Sequence, residues 1–205
     1  LMENLFFKEY VRMNSHFHNT KYANPNNPPL NYDPEYAKKI LKKVGWTLKE
    51  GDQWLTNKKG KEFIITQFPI YAGSARIYDP LIDDLKKAGI KLEYNVVQDP
   101  FSMAMERKFQ LFSSGWVGTH IPGPDHYMHS KYAEEPESSN YILINNKDID
   151  KLLEEYDQEW NIDNRVKILQ QVDSIATNQY YWLFNWTPPY GYRCLNWNKF
   201  GMPDH

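Results

Sequence analysis

"KEFIITQFPIYAGSARIYDPLIDDLKKAGIKLEYNVV" (residues 61–97) decides the fold. Phe63, Ile64, Ile65 and Phe68 form an apolar run bounded by turn signals, which reads as a buried strand. "SARIYDPLIDDLKKAG" switches to a helical period. Ser74 is its cap, Ile77, Leu81, Leu85 and Ala88 point inward, and Gly89 is the stop. "IKLEYNVV" returns as a second strand. Strand, helix and strand within about forty residues make a βαβ unit with parallel strands and a right-handed crossover. The chain is therefore of the α/β class.

The neighbouring segments extend this unit. Upstream, "NYDPEYAKKILKKVGW" is a helix capped by Asp33, with Pro34 in its first position and Gly45 at its end. Ala37, Ile40, Leu41 and Val44 share one face, which reads as the inner one. "DQWLTNKKGKEF" is a hairpin turning at Asn57 to Gly60. "LMENLFFKEYVRMN" reads as a helix already under way, without a cap. "NTKYANPNNPPLN" reads as a candidate linker that wraps over the surface.

Downstream, "DPFSMAMERK" is a short helix and "FQLFSSGW" a third strand. Two long helices follow, with inner faces Ile149, Leu152, Leu153, Tyr156 and Val166, Leu169, Val172, Ile175. "YYWLFNW" is a final apolar strand, and "TPPYGYRCLNWNKFGMPDH" an aromatic tail punctuated by Pro and Gly.

The 205 residues suffice for a real core, and the formal net charge of −2 gives no general electrostatic argument for nucleic acid or an anionic membrane. No apolar run reaches the roughly 18 residues of a membrane span. Cys194 is the only cysteine, so neither an intrachain disulfide nor a Cys-based zinc site follows from the sequence. Aromatics make up 16% of residues, with seven Trp and fifteen Tyr. That is enough to line a recognition surface as well as fill a core.

Chemistry concentrates in "GWVGTHIPGPDHYMHS" (residues 115–130), which holds three of the six histidines. His120, His126 and His129 could supply imidazoles to a metal, with Asp125 as an oxygen ligand, as in a metal-dependent hydrolase. Their spacing matches no established metal motif, and HExxH is absent. Hydrogen bonding of loop histidines to backbone or ligand is the preferred reading. His16 and His18 form an HxH pair in a segment read as a helix end. No GxSxG, GxxxxGK or GxGxxG occurs, and the paired carboxylates Asp83-Asp84, Glu134-Glu135 and Glu154-Glu155 read as solvated charge. What remains is a set of aromatics at strand ends. Trp116 and Trp186 lie where open α/β sheets meet their ligands, beyond the carboxyl ends of strands.

The order of "YDPEYAKKILKKVGW", "NKKGKEF", "LKKAGIKLEYNVV", "FQLFSSGW", "SSNYILINNKDIDKLLEEY" and "DNRVKILQQVDSIATNQYYWLFNW" resembles the extracellular solute-binding proteins, family 5, of peptide ABC transporters. "ENLFFKEYVRMNSHFHNT" and "NWNKFGMPDH" resemble the branch associated with oligopeptides and the peptide–nucleotide antibiotic microcin C. The resemblance implies a type II periplasmic-binding-protein-like fold, with a mixed sheet whose parallel βαβ core is flanked by helices. Family proteins are well over twice as long, so the chain corresponds to their C-terminal part. Residues 1–185 would be the second lobe, incomplete at its N-terminus, and residues 186–205 a return crossing toward the first lobe.

The implied function is reversible capture of a peptide or peptide-like solute between two lobes. Delivery is to an inner-membrane ABC permease, by a monomer needing no cofactor. The implied location is periplasmic or extracytoplasmic, soluble or lipid-anchored. The family places Trp116 as a pocket wall. Its aspartate for the ligand's amino terminus stands three residues later, at Thr119, and an arginine found in many members corresponds to Ser113. Both charged anchors are missing, which leaves Asp125 as a substitute or implies a ligand with a blocked terminus. The expected contacts are Trp116, Thr119, His120, Asp125 and, at the return crossing, an aromatic within Trp182 to Trp186, with Trp186 preferred.

Overall fold

A computed structural model describes residues 6–116 and 118–189. Residues 190–205, which include Tyr190, Cys194 and all but the first three residues of the expected tail, lie outside the described residues. In chain order the elements are β1 (Val11–Arg12), α1 (Pro34–Lys43), β2 (Ile64–Ile65), β3 (Pro69–Ile70), α2 (Ala75–Lys87), β4 (Lys91–Leu92) and β5 (Asn95–Val96). They are followed by α3 (Pro100–Met105), α4 (Asp125–Met128), α5 (Lys147–Gln158), α6 (Ile162–Asn178) and β6 (Trp186–Thr187). Among the described residues no helix is long and apolar enough to cross a membrane.

The expected βαβ unit is present, and both of its ladders are parallel: β2 with β4, and β3 with β5. They are two halves of one strand pair interrupted by a bulge. Between Ile65↔Leu92 and Pro69↔Asn95 the first strand advances four residues and the second three. The extra residue leaves backbone groups without ladder partners. Gln110 supplies one: its Oε1 accepts from Thr66 N (2.8 Å) and Gln67 N (3.1 Å), while Gln67 O accepts from the amides of Gln110 and Leu111. The segment expected as a third strand thus lies beside the sheet, held by a side chain that imitates a strand, and forms no ladder of its own.

α2 covers this sheet. Leu81 and Leu85 pack with Tyr78 and Ile82 against Phe68, Ile70 and Leu92. Ser74 occupies the cap position without a side-chain hydrogen bond, because a 3₁₀ turn over Ala72–Ser74 precedes the helix. At the other end Gly89 is required. Its φ is +78°, and an added Cβ would lie 3.1 Å from Leu55 Cγ and 3.4 Å from Leu48 Cδ1. Its carbonyl also accepts from Leu55 N at 2.7 Å, tying the hairpin to the helix end. Gly89→Ala is expected to cost about 1–2 kcal/mol, read as a lower urea midpoint with an unchanged slope.

A second core joins α5 and α6. Ile149, Leu153, Tyr156, Leu169 and Val172 are buried together with Met128, Ile144, Phe17 and Tyr22. Asn146 and Asn161 cap the two helices through Asp148 N, Ile149 N and Asn164 N.

Two expectations at the ends are corrected. The segment near the start is no helix where described: Phe7 and Lys8 have φ of 49° and 62°, and Val11–Arg12 pairs antiparallel with Trp186–Thr187. The final apolar strand contracts to that two-residue ladder. The Pro/Asn-rich candidate linker wraps over α6 and is pinned there. The buried Asp173 of α6 accepts from Ser15 Oγ (2.8 Å), His16 N (3.0 Å), Asn24 N (2.8 Å) and Asn27 Nδ2 (2.8 Å). Four donors on one carboxylate wrap residues 15–27 around the helix.

Candidate functional site

The loop after residue 115 is fixed from below by polar contacts. Tyr156 of α5 donates its hydroxyl to Pro122 O at 2.6 Å. Asp150 of α5 accepts from Ser130 N at 2.8 Å, from the Ser130 hydroxyl, and from Lys147 Nζ at 3.1 Å. Burial alone would raise the Asp150 carboxyl, but the Ser130 and Lys147 donors outweigh it and the net shift is downward. Pro122 and Pro124 are buried while Gly118, Thr119, His120 and Ile121 are exposed. The prolines therefore act as feet and the residues before them form the outer arch.

Trp116 is 50% exposed. One side of its indole rests edge-on against Tyr127 of α4, with centroids 4.4 Å apart. Burial pushes the Tyr127 hydroxyl well up from its ordinary value, with Asp125 adding to the shift, so the phenol stays neutral. The other support is His16, 5.5 Å from Trp116, which also meets Tyr127 (5.1 Å), Trp182 (4.9 Å) and Phe184 (6.5 Å). A ring half in solvent and backed by other rings is a preformed apolar wall.

The remaining expected residues separate into groups. Thr119 turns back on its own loop, its hydroxyl donating to Ile121 O at 2.8 Å. His120 is exposed on the arch. Asp125 is half-buried in the first turn of α4. Burial and then Asp157 push its carboxyl up, against the opposing pull of Lys131 and His129. Trp186 lies in the β1–β6 ladder and meets Phe6 in a tilted ring contact at 4.9 Å, while Trp182 meets His16 at 4.9 Å.

The three loop histidines do not converge. His129 is buried, accepts from Lys131 N at Nδ1 (3.1 Å) and sits 3.3 Å from Asp150 Oδ1. His126 is exposed and packs on Tyr132 at 4.8 Å. Among the described residues no group of three His, Cys, Asp or Glu side chains is placed to hold a metal ion.

Sequence reading singled out His16 only as half of an HxH pair and missed its place behind Trp116. It sits in a turn rather than a helix end, its Nε2 is buried without a hydrogen-bond partner, and burial lowers its pKa from 6.5 to about 4. The available signal was the cluster of rings around it, which lie about a hundred or more residues away in the chain.

A half-covered aromatic wall on a braced loop, beside a parallel βαβ core, defines part of a lobe of a type II periplasmic binding protein. The chain belongs to the bacterial extracellular solute-binding proteins, family 5; residues 1–139 match the family's middle region. Members of this family are binding proteins rather than enzymes.

Solved structures agree on the fold. The oligopeptide-binding protein AppA from Bacillus subtilis, in complex with a nonapeptide, aligns over 91% of this chain and 38% of its own at 20% identity and TM-score 0.77. The oligopeptide-binding protein from Thermus thermophilus, complexed with a pentapeptide, aligns over 91% and 35% at 19% identity and TM-score 0.78. NikA from Brucella suis, in complex with Fe(III)-EDTA, aligns over 91% and 39% at 17% identity and TM-score 0.75. The chain thus spans less than two fifths of these solved chains. No curated protein sequence matches it.

Proposed function

We propose that the chain is the second-lobe portion of an ABC importer's substrate-binding component, capturing a peptide or peptide-like solute and presenting it to a membrane permease. Residues 1–185 would form that lobe and residues 186–205 the crossing toward a first lobe. The parent would act as a monomer outside the cytoplasm, soluble or lipid-anchored. Capture would be by lobe closure, with tighter binding to the closed state driving the shift. The observation that carries this reading is Trp116, half exposed and held rigid by Tyr127 and His16.

Thr119 shapes the ligand preference. Its hydroxyl is engaged by Ile121 O and it carries no charge, so it offers no carboxylate for a buried ammonium. Asp125 would serve only a ligand that reaches the first turn of α4. His120 on the arch and Trp186 at the crossing would add contacts from the sides.

The test is calorimetric titration with pentapeptides, free and N-acetylated. Trp116→Ala is expected to weaken binding by about 2 kcal/mol, roughly thirtyfold in Kd. Acetylation is expected to change Kd less than about tenfold, because no ion pair is lost. Unchanged affinity in Trp116→Ala would remove this residue from the site.

A further inference from the structure

The face of α1 read from the sequence as inner is divided in the structure. Ala37 and Leu41 are half-buried, but Ile40 is 42% and Val44 69% exposed. With Tyr36 at 59% they form a solvent-facing line at i, i+4 and i+8. Isolated exposed apolar side chains are ordinary, whereas three in one helical row make a patch.

Lysines accompany this line. Lys39 and Lys43 form the adjacent exposed row on the same helix. Lys42, Lys43, Lys58 and Lys59 surround a concavity of about 680 Å³ beside Val44, and no carboxylate lines it. Residues 33–62 carry eight lysines against five carboxylates, in a chain whose formal net charge is −2. The overall charge balance hides a local positive surface.

We propose that this face rests on an anionic lipid surface, with α1 in the interfacial plane. Tyr36, Ile40 and Val44 would enter the headgroup–acyl boundary, and the four lysines of the concavity would meet lipid phosphates. A lipid surface fits better than a protein for two reasons. The patch is one convex helix row of three side chains, whereas a stable protein interface takes about 20–30 residues a side. The lysines flank the apolar row on long stems, which lets the ammonium groups reach headgroups while the row sinks. The helix is already folded, so association pays no helix-ordering entropy. This contact is independent of ligand capture, so either can fail alone.

The test is co-sedimentation of the protein with vesicles of phosphatidylcholine, with and without about a third phosphatidylglycerol. Partitioning is expected to be at least about tenfold stronger onto the anionic vesicles, and to fall as salt rises from about 0.05 M to about 0.5 M. The double variant Lys42→Glu/Lys43→Glu is expected to lose about tenfold or more of that binding. Ile40→Ser/Val44→Ser is expected to weaken it with all charges intact. All four side chains are exposed, so circular dichroism should match the parent. Equal partitioning onto neutral and anionic vesicles would overturn the proposal. Lysine-dependent retention on immobilised polyaspartate without vesicle binding would also overturn it, and would assign the face to an acidic protein.

Discussion

Asp173→Ala is expected to destabilise the folded chain by about 3–5 kcal/mol, because four buried or half-buried donors lose their shared acceptor, at about 1–3 kcal/mol each before relaxation. The carboxylate is fully buried and has no cation beside it among its hydrogen-bonding partners. Burial pushes its carboxyl up from the ordinary value, and the donors from Asn24, Ser15, His16 and Asn27 pull the other way without cancelling the rise. What the side chain contributes is acceptor capacity at both oxygens. Asp173→Asn separates that from size. An amide fills the same space but turns an NH₂ toward donors, so it is expected to cost nearly as much as alanine. If asparagine were neutral, packing alone would explain the site. Limited proteolysis offers a local readout, since residues 15–27 should become the first cleavage region in both variants.

The helices were legible because their caps are local. Asp33, Asp99, Asn146 and Asn161 each precede the helix they cap, and each side chain accepts from the first turn. The βαβ unit was legible for the same reason: period, cap and stop all lie within residues 61–97. The strands were overread. Apolar content does not encode register, and the bulge after Ile65 depends on Gln110, more than forty residues away. The face of α1 was misread because Ala37, Ile40, Leu41 and Val44 form a correct helical stripe while the neighbouring elements bury only part of it.

At the site, the sequence could mark "GWVGTHIPGPD" as an irregular loop of fixed shape, since glycine and proline set its character locally. It could not show that three histidines so close in sequence would diverge, because His120 lies on the exposed arch, His126 faces solvent, and His129 leaves α4 in an extended conformation and is buried beside Asp150. Nor could it choose between Trp182 and Trp186. Their surroundings are set by which segments near the N-terminus fold back, His16 in one case and Phe6 in the other.

Lowering the pH from 7 to 4 is expected to remove about 3 kcal/mol of stability through His16 alone. Burial depresses its pKa from 6.5 to about 4, so between those values the unfolded chain binds a proton that the folded chain refuses. The contribution is therefore complete above pH 6.5, shrinks as pH falls, and is lost near pH 4. The ring as a whole keeps some solvent contact, but its Nε2 is covered and unpartnered, and the burial of that nitrogen sets the direction. The surrounding rings would return part of the cost of charging, since a cation facing Trp116, Tyr127 and Trp182 gains about 0.5–2 kcal/mol. The downward shift shows that desolvation outweighs this gain. His16→Phe should therefore flatten the pH dependence of the denaturation midpoint between pH 4 and 6.5. It should also add about 1 kcal/mol at pH 7, because an unpaired buried nitrogen is removed. His18 and Asp150 weaken the fold in acid in the same direction, but both remain in the variant, so the difference between the two proteins isolates His16. An identical pH slope in His16→Phe would mean that the imidazole reaches water and that the wall behind Trp116 is open.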